Sequence, residues 1–240
     1  MKATKKNPID IIMSTTKDEF KTLETDENYL VELNIPNSNT IEQLIENDPD
    51  YHFSQTRANF EELWQRKNHL LDFQDCYERV VKPIAIENST RTSNENMERF
   101  ARFMVNPEKR FFERVQEGDI DLVDEMLEYV TDDGGRNDKS LASKICKYLN
   151  EWICNGTAYA INDSFVRKVL PYYLKKWGIA DKHKNLDRVK YKTFVGLINK
   201  LEEKVVCINK HQIDHILWYC YRSDPVRLEI AIALGNKVTN

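Results

Sequence analysis

The stretch TDDGGRNDKSLASKICKYL, residues 131–149, decides how the chain is interpreted. A loop with two adjacent glycines leads into a predicted helix that opens at Ser140 and carries Lys144 early in its course. Further on, INDSFVRKVL, residues 161–170, places Asp163 at the start of the next predicted helix. Aspartate is a preferred helix N-cap, so Asp163 has a structural explanation beside any chemical one. The sequence therefore raises the question whether this lysine and this aspartate share one cleft.

The rest of the chain is typical of a helical protein. Its 240 residues include only 7 Gly and 7 Pro, so few turns are required and long helices are favoured over a many-stranded sheet. From Ser54 onward, apolar residues recur at spacings of three and four until Pro83, which is expected to stop or kink that helix. The sequence predicts a mainly α fold, a multi-helix bundle with at most a small β-hairpin at Asn155-Gly156.

Domain organisation follows from the composition along the chain. Residues 1–50 are polar and acidic, and we expect an N-terminal extension packed on one helical domain at 51–240. No apolar run approaches the roughly 20 residues that span a bilayer, and five scattered cysteines without a CxxC pair are typical of reduced thiols. These features predict a cytoplasmic protein with no membrane contact.

Charge is distributed unevenly along the chain. Residues 139–240 carry 18 Lys and Arg against 9 Asp and Glu, whereas residues 1–138 carry 17 against 30. A basic half can bind phosphate even when the whole protein has a net charge of −4. Mutual attraction of the two halves explains the asymmetry equally well.

The segment from Asp119 to Gly178 runs in the order helix, glycine loop, helix with an early lysine, loop, and aspartate at a helix start. This order resembles the catalytic core of the helix-hairpin-helix DNA glycosylase superfamily, which includes endonuclease III and 8-oxoguanine glycosylase. The family's V-D-T-H-V-x-R stretch is matched by Asp163, Ser164 and Val166, with Arg167 one place early. Lys144 and Asp163 are 19 positions apart, which fits the family spacing.

The resemblance implies an orthogonal helical bundle that flips and excises a damaged or modified base from double-stranded DNA. Asp163 would stabilise the sugar cation and Lys144 would attack C1′, which makes β-lyase activity through a Schiff base an implied second activity. The resemblance further implies a monomer that needs no cofactor or metal, and a role in base-excision repair or in phage defence.

The same resemblance assigns the DNA contacts. The family's L-P-G-V-G hairpin offers backbone amides to a phosphate, and here a longer, acidic loop with Asp132, Asp133 and Asp138 takes its place. The residues expected to contact DNA are Gly134, Gly135, Arg136, Lys139, Ser140 and Arg167.

Several alternatives stay open from the sequence. Lys139 is the second candidate for the nucleophile, and Lys144 could be an ordinary solvated helix residue. The chain could also be a non-catalytic helical module that binds DNA or protein, or an interaction scaffold that uses its acidic half. A zinc site at Cys207, His211, His215 and Cys220 is disfavoured, because all four lie on or near one predicted helix.

Overall fold

The computed structural model describes residues 54–66, 72–87, 90–176, 178–180 and 186–204. All regular structure in these ranges is helical, with no strand among them, which confirms the predicted mainly α fold. The α-helices are α1 (Ser54–Gln65), α2 (Phe73–Cys76), α3 (Lys82–Glu87), α4 (Asn94–Val105), α5 (Phe111–Glu117), α6 (Asp121–Asp132), α7 (Lys139–Cys154), α8 (Ser164–Lys176) and α9 (Tyr191–Lys204). Short 3₁₀ turns lie at Pro107–Lys109 and Leu186–Arg188, and a π-helical turn lies at Tyr77–Val81.

The described residues divide between two compact units. The described residues of the first lie within His52–Ser164 and Lys190–Val195, and those of the second lie within Phe165–Val189 and the chain from Gly196 to residue 204. The predicted acidic extension at 1–50 lies outside the described residues. This division does not test the single domain predicted for residues 51–240, which stays a prediction.

Helix α7 forms the centre of the first unit. It is capped by Asp138, whose Oδ1 accepts a hydrogen bond from the Leu141 amide at 3.1 Å. All ten residues from 141 to 150 are buried, and the helix packs against α1, α3, α5 and α6. A helix buried on every side would usually be apolar throughout, so its polar members need internal partners. Those members are Ser143, Lys144, Lys147 and Asn150.

The sequence predicted that Pro83 would stop or kink its helix, and the structure shows that it does not stop it. The helical path continues to Glu87, and Pro83 is the second residue of α3, directly after the π-helical turn. In that turn the Lys82 amide reaches back five residues to the Tyr77 carbonyl. Proline lacks an amide hydrogen, and a local widening of the helix is one of the ways in which a helical path accommodates it.

No β-hairpin forms at Asn155-Gly156, which lies within the prediction of at most a small hairpin. Asn155 adopts the left-handed conformation at φ 51° and caps the C-terminus of α7. Residues 155–163 then run without helix or strand, although 159–163 are buried. Side chains satisfy this backbone: Asn150 Oδ1 accepts from the Ala158 amide at 3.2 Å, and the Tyr191 hydroxyl bonds both the amide and the carbonyl of Ala160. The segment is therefore held in place from outside, rather than by its own hydrogen-bond ladder.

Candidate active site

The structure brings Lys144 and Asp163 together. The Nζ atom of Lys144 lies 3.8 Å from Oδ2 of Asp163, and the two residues are 6% and 9% exposed. Lys144 comes from the buried helix α7, and Asp163 is the last residue before α8 begins at Ser164. An amine and a carboxylate at this distance can act on one atom, or can simply form a buried ion pair.

The two candidate lysines occupy different places on α7. Lys139 is the first residue of the helix and is half-buried, whereas Lys144 is the sixth. Lys144 therefore lies in the second turn of α7, early in the helix as the sequence predicted. The ion pair with Asp163 is made by Lys144, the first of the two lysines that the sequence put forward.

Ser143 links α7, which carries Lys144, to the irregular segment that carries Asp163. Its Oγ accepts a hydrogen bond from the Asn162 amide at 2.9 Å, and Ser143 is fully buried. Ser143 directly precedes Lys144, and Asn162 directly precedes Asp163. The hydrogen bond between Ser143 and Asn162 therefore lies one residue before the ion pair on both segments. Sequence reasoning missed this contact, because a serine inside a helix gives no sign of a partner 19 positions away.

The glycine loop is not the free amide nest that the sequence suggested. The Gly135 amide donates to the Val130 carbonyl at 2.8 Å and the Gly134 amide to the Thr131 carbonyl at 3.0 Å. With Gly134 at φ 77°, these two bonds form a Schellman motif that closes the C-terminus of α6. Both glycine amides are used inside the protein, so they are not available to the phosphate contact predicted for Gly134 and Gly135.

Residues ahead of α4 and within it brace the loop. Asn96 is 2% exposed, and its side chain accepts from the Arg136 amide at 2.8 Å and donates to the Arg136 carbonyl at 3.2 Å. The Thr92 hydroxyl donates to Asp138 Oδ2, and Arg99 Nε donates to Asp133 Oδ2 at 3.1 Å. The loop is thereby held at three points.

The same contacts change the electrostatics expected of the loop. The carboxylate of Asp138 is buried and accepts hydrogen bonds from the Leu141 amide and the Thr92 hydroxyl. Asp133 forms an ion pair with Arg99. Asp132, by contrast, is exposed. The Arg136 residue is also exposed, so its guanidinium is available beside a loop whose acidity is partly neutralised.

The remaining predicted contact residues take different positions. Ser140 is half-buried, and its carbonyl accepts the hydroxyl of Ser143 at 3.2 Å. Arg167 belongs to the second unit, where its Nε lies 2.6 Å from Asp187 Oδ1. A phosphate-binding role for either residue stays a prediction.

Other candidate sites add little in the described part of the chain. No group of three His, Cys, Asp or Glu in this part is arranged to hold a metal ion, and the four residues of the zinc alternative lie outside it. A cavity of about 420 Å³ opens between α4 and α6, and none of the residues predicted for the site lines it. Its lining is Arg102, Lys109, Glu125, Glu128, Tyr129, Asp132 and Asp133.

Comparison with known proteins gives no match. No protein-family model fits the sequence, and neither a curated protein nor a solved structure is significantly similar to it. Among the described helices, none combines the length and the apolar character needed to cross a membrane.

Proposed function

We propose that this protein is a DNA N-glycosylase of the helix-hairpin-helix type, in which Lys144 and Asp163 form the catalytic pair. The observation that carries the proposal is the 3.8 Å approach of Lys144 Nζ to Asp163 Oδ2 inside the first unit. The orthogonal helix-hairpin-helix bundle, the modified-base DNA duplex as partner, a monomeric state and a cytoplasmic location belong to the same proposal.

The chemistry uses the two side chains in sequence. As the bond between C1′ and the base nitrogen breaks, its electron pair leaves with the base and positive charge develops on the sugar. The Asp163 carboxylate stabilises that charge. Lys144 Nζ, having given one proton to the departing base, forms a bond to C1′. One of the protons left on Nζ then moves to the ring oxygen as the bond between that oxygen and C1′ breaks, and the adduct becomes an iminium ion. The enzyme would then be able to eliminate the 3′ phosphate as a β-lyase.

Burial supports this chemistry in one respect. In a site shielded from water, a carboxylate interacts more strongly with a developing cation than it would in solution. The nearly closed environment of Lys144 and Asp163 fits that requirement once a flipped nucleotide has replaced the groups that cover the pair.

A non-catalytic helical binding module is the second candidate. The burial that supports catalysis also favours this candidate, because a shielded lysine–aspartate pair is a common structural contact. The two candidates differ in whether Lys144 reacts with a sugar carbon, and that difference can be measured.

The test uses duplexes that carry damaged or phage-type modified bases, together with a duplex containing an abasic site. At the abasic site, Nζ adds to the C1′ aldehyde, the oxygen leaves as water, and borohydride reduces the resulting C=N bond to a stable amine. We expect base release and a covalent adduct with the full-length protein, and neither with Lys144→Met.

Lys147 provides the matched control. It is also buried on α7, where its Nζ pairs with Glu151 at 2.7 Å, so Lys147→Met removes a lysine of the same kind. We expect Lys147→Met, if folded, to form the adduct. An adduct that persists in Lys144→Met would refute Lys144 as the nucleophile, and duplex binding without base release or adduct would favour the non-catalytic module.

A further inference from the structure

We infer that Ser143 is a positioning residue that sets the distance between Lys144 and Asp163. This inference rests on the proposed function for its catalytic consequence, although the positioning itself can be tested without any reaction. The hydroxyl of Ser143 is fully buried and lies between the helix that carries the amine and the segment that carries the carboxylate.

The hydrogen bonds of Ser143 fix the direction of its hydroxyl group. Its Oγ donates to the Ser140 carbonyl at 3.2 Å, one turn earlier in α7. Its lone pairs then accept the Asn162 amide at 2.9 Å. The serine therefore uses the helix backbone as a support and presents an acceptor to the irregular segment.

The segment needs such an acceptor because residues 155–163 have no ladder of their own. Other side-chain hydrogen bonds hold it further from the pair: Asn150 at Ala158, Tyr159 at the Asp119 carbonyl, and Tyr191 at Ala160. Ser143 holds the residue directly before Asp163. Since Ser143 is also the neighbour of Lys144, this bond adds a second link between the two catalytic positions, beside the ion pair itself.

The consequence of losing the bond is a displaced carboxylate. Ser143→Ala leaves the Asn162 amide without this acceptor, and the backbone directly before Asp163 loses one of its restraints toward α7. A displacement of about 1 Å between reacting groups can reduce a rate by roughly 100-fold. DNA binding depends on exposed groups such as Arg136, so affinity for the duplex should not change.

The matched control is Tyr159→Phe. It removes one hydroxyl from the same buried segment, where Tyr159 donates to the Asp119 carbonyl at 2.8 Å. This bond lies four residues before Asp163, so its loss weakens the segment without releasing the carboxylate. If segment loosening alone mattered, both variants would slow the reaction.

The reaction test measures single-turnover adduct formation on an abasic duplex under borohydride. For Ser143→Ala we expect a rate reduced about 10- to 100-fold with an unchanged Kd for the duplex, and for Tyr159→Phe a rate within about twofold of the unmodified protein. A wild-type rate in Ser143→Ala, or an equal loss in Tyr159→Phe, would overturn the positioning role.

A second measurement separates this inference from the proposed function. NMR of the free protein follows the Lys144 side-chain Cε and Nζ signals and the exchange of the Asn162 amide. We expect Ser143→Ala to shift the Lys144 signals and to speed exchange at Asn162, while Tyr159→Phe leaves both as they are. If the unmodified protein neither releases a base nor forms an adduct, the proposed function fails and these spectra alone decide the role of Ser143; unchanged spectra in Ser143→Ala would refute it.

Discussion

Asn96 and Arg136 lie 40 positions apart, and the Asn96 side chain bonds both the amide and the carbonyl of Arg136. One buried side chain therefore replaces the neighbouring strand or helix that a backbone normally pairs with. This contact fixes the loop between α6 and α7, and with it the point at which the helix of Lys144 begins.

Replacing Asn96 with alanine should destabilise this loop. Two part-buried backbone groups of Arg136 lose their partner, and the net loss of a hydrogen bond costs about 0.5–1.5 kcal/mol. Urea unfolding should show this loss, and amide exchange at Arg136 should become faster. Asn94→Ala, at an exposed position in the first turn of α4, is the control and should change the free energy of unfolding by less than about 0.5 kcal/mol.

The two loop glycines should respond differently to alanine. A Cβ at Gly135 would lie 2.5 Å from Asn96 Oδ1 and 2.6 Å from the Val130 carbonyl oxygen, so Gly135→Ala forces the brace apart. A Cβ at Gly134 meets nothing within 4 Å, and its substitution costs only the left-handed strain, about 1 kcal/mol. Thermal unfolding should give a lower Tm for Gly135→Ala than for Gly134→Ala. The reverse order would contradict the close packing described for Gly135.

Thiol labelling should follow burial. Burial raises the pKa of the Cys76 thiol to about 12, and it also raises the pKa of the fully buried Cys146. Because the thiolate is the reactive form, neither should react at pH 8 while the protein is folded. Cys154 is half-buried and should react first of these three. Peptide mapping after brief iodoacetamide treatment reads out the order, and early labelling of Cys146 would contradict it.

Arg114 should make the protein sensitive to acid through Glu125. Its guanidinium binds both Glu125 oxygens, at 2.8 and 2.7 Å, and this hydrogen bonding lowers the pKa of that carboxyl. A lowered folded pKa contributes stability above the unfolded value of about 4.3, and this stability is lost as the pH falls through the folded pKa. The partly exposed pair should contribute no more than about 1 kcal/mol.

Urea unfolding at pH 7 and at pH 3 measures this contribution. Glu125→Gln should lose less stability than the unmodified protein between these two pH values. Glu128→Gln changes an exposed carboxyl on the same helix and should behave as the unmodified protein does. Identical acid sensitivity in all three proteins would show that the Arg114 contact does not contribute.

The sequence predicted those features that depend on local pattern. Asp163 directly precedes a helix as expected, and the regular structure of the described residues is helical, as the low glycine and proline content predicted. It did not predict the buried irregular segment or the contacts of Asn96 and Ser143. Those contacts join residues 40 and 19 positions apart through single polar side chains, and neither periodicity nor propensity reports on such pairs.

The Asn155-Gly156 pair also shows that local sequence alone does not decide between two structures. Both a hairpin turn and a helix C-terminus require a residue in the left-handed conformation, so the dipeptide alone fits either structure. In the structure Asn155 ends α7, and the segment that follows is hydrogen-bonded to the side chains of Asn150, Tyr191 and Ser143 instead of to a hairpin partner.

The most direct test of the central claim is to locate the bond between protein and sugar. The full-length protein is trapped with borohydride on duplexes that carry an abasic site or a modified base, and the adduct is digested and mapped by mass spectrometry. We predict that the sugar remnant is attached to Lys144. Attachment to Lys139 or another lysine, or the absence of any adduct and any base release, would contradict the catalytic pairing of Lys144 with Asp163.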